Sequence, residues 1–258
     1  MMPIRERCGI MPDCRWSIKD VIKVFVAYGI LMFAGMPVVA QVFRAIFGYT
    51  VLSVSASRSM ALFITIFING TICLYILYIV CAVHRQQVAA LGLSLTNLSN
   101  NIKWGMKRYF LTIPVIMLAG FIINMVANYY GIVPEMQDVV RWILEEKSVF
   151  VLFSLIFLGI IVAPVIEEIM FRGFLQPALK NVLGRKYAII ASASVFAAVH
   201  MDVYAFLQIF ILGVLLGYLY ERTQTLAASI VAHILHNSLT LIFLLYFKFF
   251  LKGKVPIF

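Results

Sequence analysis

The chain has 258 residues, of which 63% are hydrophobic and 12% charged, and its mean hydropathy is +1.00. A water-soluble domain of that composition would present one continuous apolar surface, so the soluble classes are excluded and the chain reads as an all-α polytopic membrane protein. Its net charge of +10 lies in the gaps between apolar runs, not in a basic stripe with interleaved aromatics, which indicates contact with anionic headgroups of a lipid bilayer and no nucleic acid.

Residues 1–17 mix Arg5, Glu6, Arg7, Asp13 and Arg15 with no apolar core. This segment reads as a short cytoplasmic arm and not as a cleavable signal peptide, with the first span serving as an uncleaved insertion signal. Apolar runs follow at about 18–40, 60–83, 109–127, 149–180, 187–200, 204–220 and 226–247. A crossing takes about 20 apolar residues, so the pattern predicts about seven transmembrane helices, the fifth and sixth short. The fourth run is too long for one straight crossing, and Pro164, Gly173 and Pro177 predict kinks along it. Residues 18–148 hold the N-terminal spans and residues 149–250 the part marked by polar side chains, within a single membrane domain.

Loop charge sets the expected orientation. Residues 83–108 carry Arg85, Lys103, Lys107 and Arg108 with no acid, which predicts a cytoplasmic loop. Residues 129–148 carry Glu135, Asp138, Glu145 and Glu146 against Arg141 and Lys147, which places them outside. Lys180, Arg185 and Lys186 then fall inside as the rule requires, whereas Lys248, Lys252 and Lys254 fall outside and break it. Within residues 135–147, Val139, Val140, Trp142, Ile143 and Leu144 alternate with charges as in an amphipathic surface helix. Cys8, Cys14, Cys73 and Cys81 have neither metal-ligand spacing nor the pattern of a disulfide framework.

Chemistry concentrates in three places. Glu167 and Glu168 lie inside the fourth run, followed by Arg172. Ionising a carboxylate in hydrocarbon is costly and two neighbours repel, so such a pair is expected to line a cavity and to function there. On a helix Glu168 and Arg172 share a face and can pair, while Glu167 points about 100° away and stays available for proton transfer. The second place is His200, closing Phe196-Ala197-Ala198-Val199-His200, and the third is His233-Ile234-Leu235-His236-Asn237. At the helical rise, Glu167 lies about 20 Å above Lys180, His200 about 21 Å above Lys186, and His233 and Asn237 about 10–17 Å above Leu226. All three levels fall within a hydrocarbon core of about 30 Å, so a common site is geometrically allowed. Singly, His200 would read as an interface histidine, as His84 does beside Arg85, and Asn237 as helix–helix glue. There is no His-Glu-x-x-His, no aspartate pair within an apolar run and no Gly-x-Ser-Gly.

Glu-Glu-x-x-x-Arg at 167–172, Phe-x-x-x-His at 196–200 and His-x-x-x-Asn at 233–237 together resemble the three motifs of the CAAX protease and bacteriocin-processing family, the membrane-embedded group that includes the type II CAAX prenyl endopeptidases. The flanks Phe171-Arg172-Gly173-Phe174-Leu175-Gln176 and Ala227-Ala228-Ser229-Ile230-Val231-Ala232-His233 resemble it too, and the likeness covers about residues 150–245. It implies a helical bundle around a membrane-embedded polar cavity, with residues 149–250 as catalytic core, and an intramembrane endopeptidase acting on membrane-associated peptides or proteins. In that reading Glu167 is the general base and His200 its partner in activating water. His233 and Asn237 form the oxyanion hole, and Glu168 and Arg172 support the glutamate-bearing helix. Desolvated base plus aimed donors is what amide hydrolysis needs without a nucleophilic side chain.

Two alternatives stay open. Glu167, His200 and His233 could hold a zinc ion instead, an option that His236 keeps alive, although Asn237 is a poor zinc ligand and a good oxyanion donor. A non-catalytic immunity or scaffold protein of the same fold would also carry these spans. Buried Glu and His chains serve transporters as well, but there polar residues would be spread over both halves, and the N-terminal half is almost bare of them. The architecture suggests a bacterial cytoplasmic membrane, with bacteriocin precursors, pheromone peptides or membrane-protein stubs as substrates.

Overall fold

The computed structural model of the chain describes residues 15–47, 54–134 and 136–250. The expectations for residues 1–14, including Cys8 and Cys14, and for Glu135, Lys252 and Lys254 lie outside the described residues. Among the described residues every regular element is a helix. In chain order these are α1 (Ile18–Val39), α2 (Ala56–Val83), α3 (Leu98–Tyr129), the short surface helix α4 (Asp138–Glu145), α5 (Val149–Ala198), α6 (Phe206–Thr223) and α7 (Ala227–Phe250). Six of them, all but α4, are long and apolar enough to cross a membrane, and the protein is an integral multi-pass membrane protein.

The difference from seven expected crossings lies in α5. Its 50 residues would extend about 75 Å if straight, more than twice the thickness of a hydrocarbon core. The chain escapes by breaking at Gly184, whose φ of 75° and ψ of 168° lie in a region that glycine enters at no steric cost. The break falls between Lys180 and Tyr187, in the gap between the fourth and fifth apolar runs. Counted as two arms, 149–183 and 185–198, α5 brings the segments back to seven.

Two helices begin earlier than the apolar runs. α3 starts at Leu98, so the connection after α2 is shorter than expected, and its first turns bury only Asn101, Gly105 and Tyr109. That spacing of four puts one narrow face against α7, close enough that a Cβ on Gly105 would overlap the Ala228 carbonyl oxygen. The remaining positions hold Lys103, Lys107 and Arg108 and read as loop by hydropathy. α2 likewise opens with a polar turn whose Arg58 is buried and donates to Glu145 at 2.7 Å and Glu146 at 3.1 Å.

The charge that broke the orientation rule has a structural use. Lys248 Nζ donates to the carbonyl oxygens of Ile143 (2.7 Å), Leu144 (3.1 Å) and Glu146 (2.6 Å), so it closes the C-terminal end of α4 and is not free to meet headgroups. At the opposite end, His84 contacts Asp20 at 3.0 Å, Trp16 donates to the Phe174 carbonyl at 2.8 Å, and Asn101 donates to Thr225 at 3.0 Å. These contacts tie both ends of the bundle, leaving its middle to helix packing. α7 packs against α3, α6 and the first arm of α5, and residues 176–198 of α5 pack against α6. Among the described residues four stretches are wound as π-helix, at Leu31–Gly35, Tyr78–Val83, Leu158–Val162 and Ile169–Leu175. The last two bracket the glutamate pair.

Candidate active site

Glu167 and Glu168 close a short α-helical stretch, Ala163–Glu168, set between those two π turns. Pro164 dictates the first, because a residue without an N–H cannot continue the i→i−4 ladder. π turns widen the helix and re-aim the side chains that follow, which is why they recur at functional sites.

Glu168 and Arg172 are each 0% exposed. Arg172 Nη1 donates to Glu168 Oε1 at 3.0 Å, and Nη2 donates to the Gly213 carbonyl at 3.2 Å. The guanidinium also lies over the Phe196 ring, 4.3 Å from its centroid. The same Glu168 Oε1 stands 3.0 Å from His233 Nδ1 on α7. His233 Nε2, on the far edge of the ring, lies 3.6 Å from Glu167 Oε2. His233 is 3% exposed while the Glu167 side chain is 29% exposed, so the cluster runs from a sealed ion pair to a carboxylate open on one side.

His200 is placed differently from expectation. Its Nδ1 lies 2.7 Å from the Phe196 carbonyl oxygen, and since a carbonyl only accepts, Nδ1 carries the proton and Nε2 is left outward. No hydrogen bond or ion pair joins it to Glu167; it is linked to the cluster through Phe196, whose ring centroid lies 4.8 Å from that of His200 and 5.7 Å from that of His233. Among the described residues the imidazole paired with Glu167 is that of His233. Asn237, one turn beyond His233, donates from Nδ2 to the Gly159 carbonyl at 2.8 Å. His236 turns toward α3, where its Nδ1 lies 3.3 Å from the Tyr109 hydroxyl.

Several residues that the sequence reading named without a structural role prove to be partners in the packing of the site. Phe196, 1% exposed, is the hub touched by His200, His233 and Arg172. Gln176, 0% exposed, donates to the Gly217 carbonyl at 3.1 Å, and Lys180 reaches Glu221 at 3.0 Å. Glu168, Arg172, Gln176 and Lys180 thus form a polar row at spacing four, matched on α6 by Gly213, Gly217 and Glu221 at the same spacing. A Cβ on Gly217 would stand 2.7 Å from Gln176 Oε1, so glycine is what lets the two helices close there. The paired spacings are the sequence signal that would have revealed this row.

Among the described residues no three His, Cys, Asp or Glu side chains gather as metal ligands would. Glu167 and His233 face each other, but His200 is turned onto its own helix through Nδ1.

Comparison with known proteins adds an independent line. Residues 149–239 match the family described as type II CAAX prenyl endopeptidase Rce1-like. Over 88 residues the chain is 32% identical to a Bacillus subtilis (strain 168) protein named "Putative membrane peptidase YdiL"; the aligned stretch is 34% of this chain and 36% of that relative. The chain thus spans about a third of the length of the curated relative it matches. No solved structure matches it. The matched segment contains the glutamate pair, Arg172, His200, His233 and Asn237, so residues 149–239 are similar to the Rce1-like type II CAAX prenyl endopeptidases over all three motifs of the CAAX protease and bacteriocin-processing family.

Proposed function

We propose that the protein is an intramembrane endopeptidase that hydrolyses peptide bonds of membrane-associated peptides or proteins with water activated by Glu167, without a metal ion. The observation that carries this reading is the asymmetry of the glutamate pair: Glu168 is sealed and held by Arg172 and His233, while Glu167 beside it stays partly open. Glu167 removes a proton from water as the water oxygen bonds to the scissile carbonyl carbon. The carbonyl oxygen becomes an oxyanion facing donors from Asn237 and His233. As the C–N bond breaks, the proton held by Glu167 passes to the departing amine, and the second water proton, left on the new carboxylic acid, then moves to that amine, so the products are a carboxylate and an ammonium group. In this reading His200, whose Nε2 is left without the Phe196 bond that holds Nδ1, binds the water or relays that proton.

The test uses the purified protein in detergent, a synthetic peptide library and mass-spectrometric detection of new termini. The wild type cleaves members of the library, and Glu167→Gln lowers the rate by about 10²–10⁴-fold with an unchanged thermal midpoint. Undiminished cleavage by Glu167→Gln sinks the assignment. Peptide binding without any cleavage by the wild type identifies a non-catalytic member of the fold.

A further inference from the structure

Asn237 owes its orientation to a carbonyl that the helix ladder has abandoned. Leu158–Val162 is wound as π-helix, and the Ala163 N–H bonds the Leu158 carbonyl, five residues back. In an α-helix that N–H would have served Gly159. In a π-helix the Gly159 carbonyl would instead receive the N–H of residue 164, and residue 164 is proline, which has none. Of the two main-chain donors that could reach the Gly159 oxygen, the π winding diverts one and the proline removes the other. A carbonyl stranded in a membrane protein's interior costs free energy until something donates to it, and the Asn237 amide does so at 2.8 Å.

We infer that Pro164 is a positioning residue: by stranding the Gly159 carbonyl it clamps the Asn237 amide, and the planar geometry of that amide then fixes the direction of its second N–H. An acceptor on one proton also decides which end of the amide is nitrogen, so Asn237 presents a donor, not its oxygen, on its free side. Gly159 itself leaves room for a Cβ, whose nearest neighbour would be Leu241 at 3.7 Å, so the device depends on the proline and not on the glycine. The clamp follows from geometry alone; its catalytic consequence rests on the proposed function.

Pro164→Ala restores an N–H at position 164. That N–H competes for the Gly159 oxygen and releases Asn237. The variant is compared with wild type by NMR of detergent-solubilised protein labelled with ¹⁵N-asparagine, and Asn237→Ala identifies the relevant side-chain signal by its loss. In wild type the two amide protons of Asn237 are well separated in shift and one exchanges slowly; in Pro164→Ala the separation collapses and exchange speeds up. An unchanged Asn237 signal in a folded Pro164→Ala protein overturns the clamp, whatever the protein's activity. Pro164→Gly restores the same N–H and must behave alike, which guards against misfolding of a single variant. On a peptide that the wild type cleaves, Pro164→Ala lowers kcat by up to about a hundredfold with KM unchanged, and adds nothing in an Asn237→Ala background. A loss that appears in KM, or that adds fully to that of Asn237→Ala, refutes the positioning role. If the wild type cleaves no peptide, the proposed function fails and the NMR comparison still decides the clamp.

Discussion

Replacing Arg172 by leucine should be among the most damaging single changes in the chain. Its guanidinium is 0% exposed and holds the carboxylate of Glu168, also 0% exposed, at 3.0 Å. Glu168 Oε2 has no hydrogen-bond partner among the described residues, so with Arg172 removed the carboxylate keeps only the His233 contact on Oε1. Breaking a buried pair by deleting one partner costs about 3–5 kcal/mol, because an uncompensated charge stays behind. Loss of the cation–π contact with Phe196, worth up to about 2 kcal/mol when desolvated, moves the expectation toward the upper end. Lysine would not rescue, since an ammonium cannot span Glu168 and the Gly213 carbonyl as the planar fork does. The assay is denaturant unfolding of detergent-solubilised protein, with Glu168→Gln/Arg172→Leu as the second arm. That double variant removes both charges and should be more stable than Arg172→Leu alone. A loss below about 1 kcal/mol for Arg172→Leu, the magnitude of an exposed pair, would refute the reasoning.

Other consequences are more local. Chelators should leave cleavage unchanged, because His200 does not join Glu167 and His233 in a ligand set; inhibition by a chelator, reversed by added zinc, would show that the rings rearrange around an ion. Gly105→Ala should destabilise by about 1–3 kcal/mol, since its Cβ meets the backbone of Ala228, which cannot yield as a flexible side chain could; an unchanged unfolding midpoint would show that α3 and α7 do not hold this close approach. Lys248→Met removes three charge-assisted bonds to the end of α4 and should speed amide exchange across residues 143–148, with little change in the α5–α6 contact.

What was legible in the sequence depended on whether the signal was local. The membrane class and the row of apolar runs follow from composition and hydropathy, and the Glu168–Arg172 pair follows from its spacing of four. Helix starts were lost where one narrow face packs and the rest is charged: Leu98–Arg108 reads as a basic loop although Asn101, Gly105 and Tyr109 are buried on one side. The orientation rule faltered at Lys248 because it counts charges without knowing that three carbonyls consume this one. The pairing of Glu167 with His233 was not legible, because relative rotation of α5 and α7 decides which imidazole arrives, and the π turns on either side of Ala163–Glu168 reset that rotation. Hydropathy carries no trace of a shift from i+4 to i+5. Pro164 was visible and its kink expected, but which carbonyl meets Asn237 depends on the π winding that precedes the proline.

Glu168 Oε1 is a single atom serving two purposes, and this limits how the site can vary. It accepts from Arg172, which fastens α5 to α6 through Gly213, and it meets His233, which orients the imidazole facing Glu167. Loss of Glu168 therefore perturbs helix packing and imidazole orientation together, so stability and chemistry should fall in step among its variants. Glu167 has no comparable structural bond beyond the 3.6 Å contact with His233, and the energy of folding should barely register its charge. Two adjacent carboxyl groups of identical chemistry are thus separated by burial: the sealed one is committed to architecture, and the open one is released from it. That division leaves a partly open carboxylate inside a hydrocarbon-embedded bundle whose packing rests on its sealed neighbour.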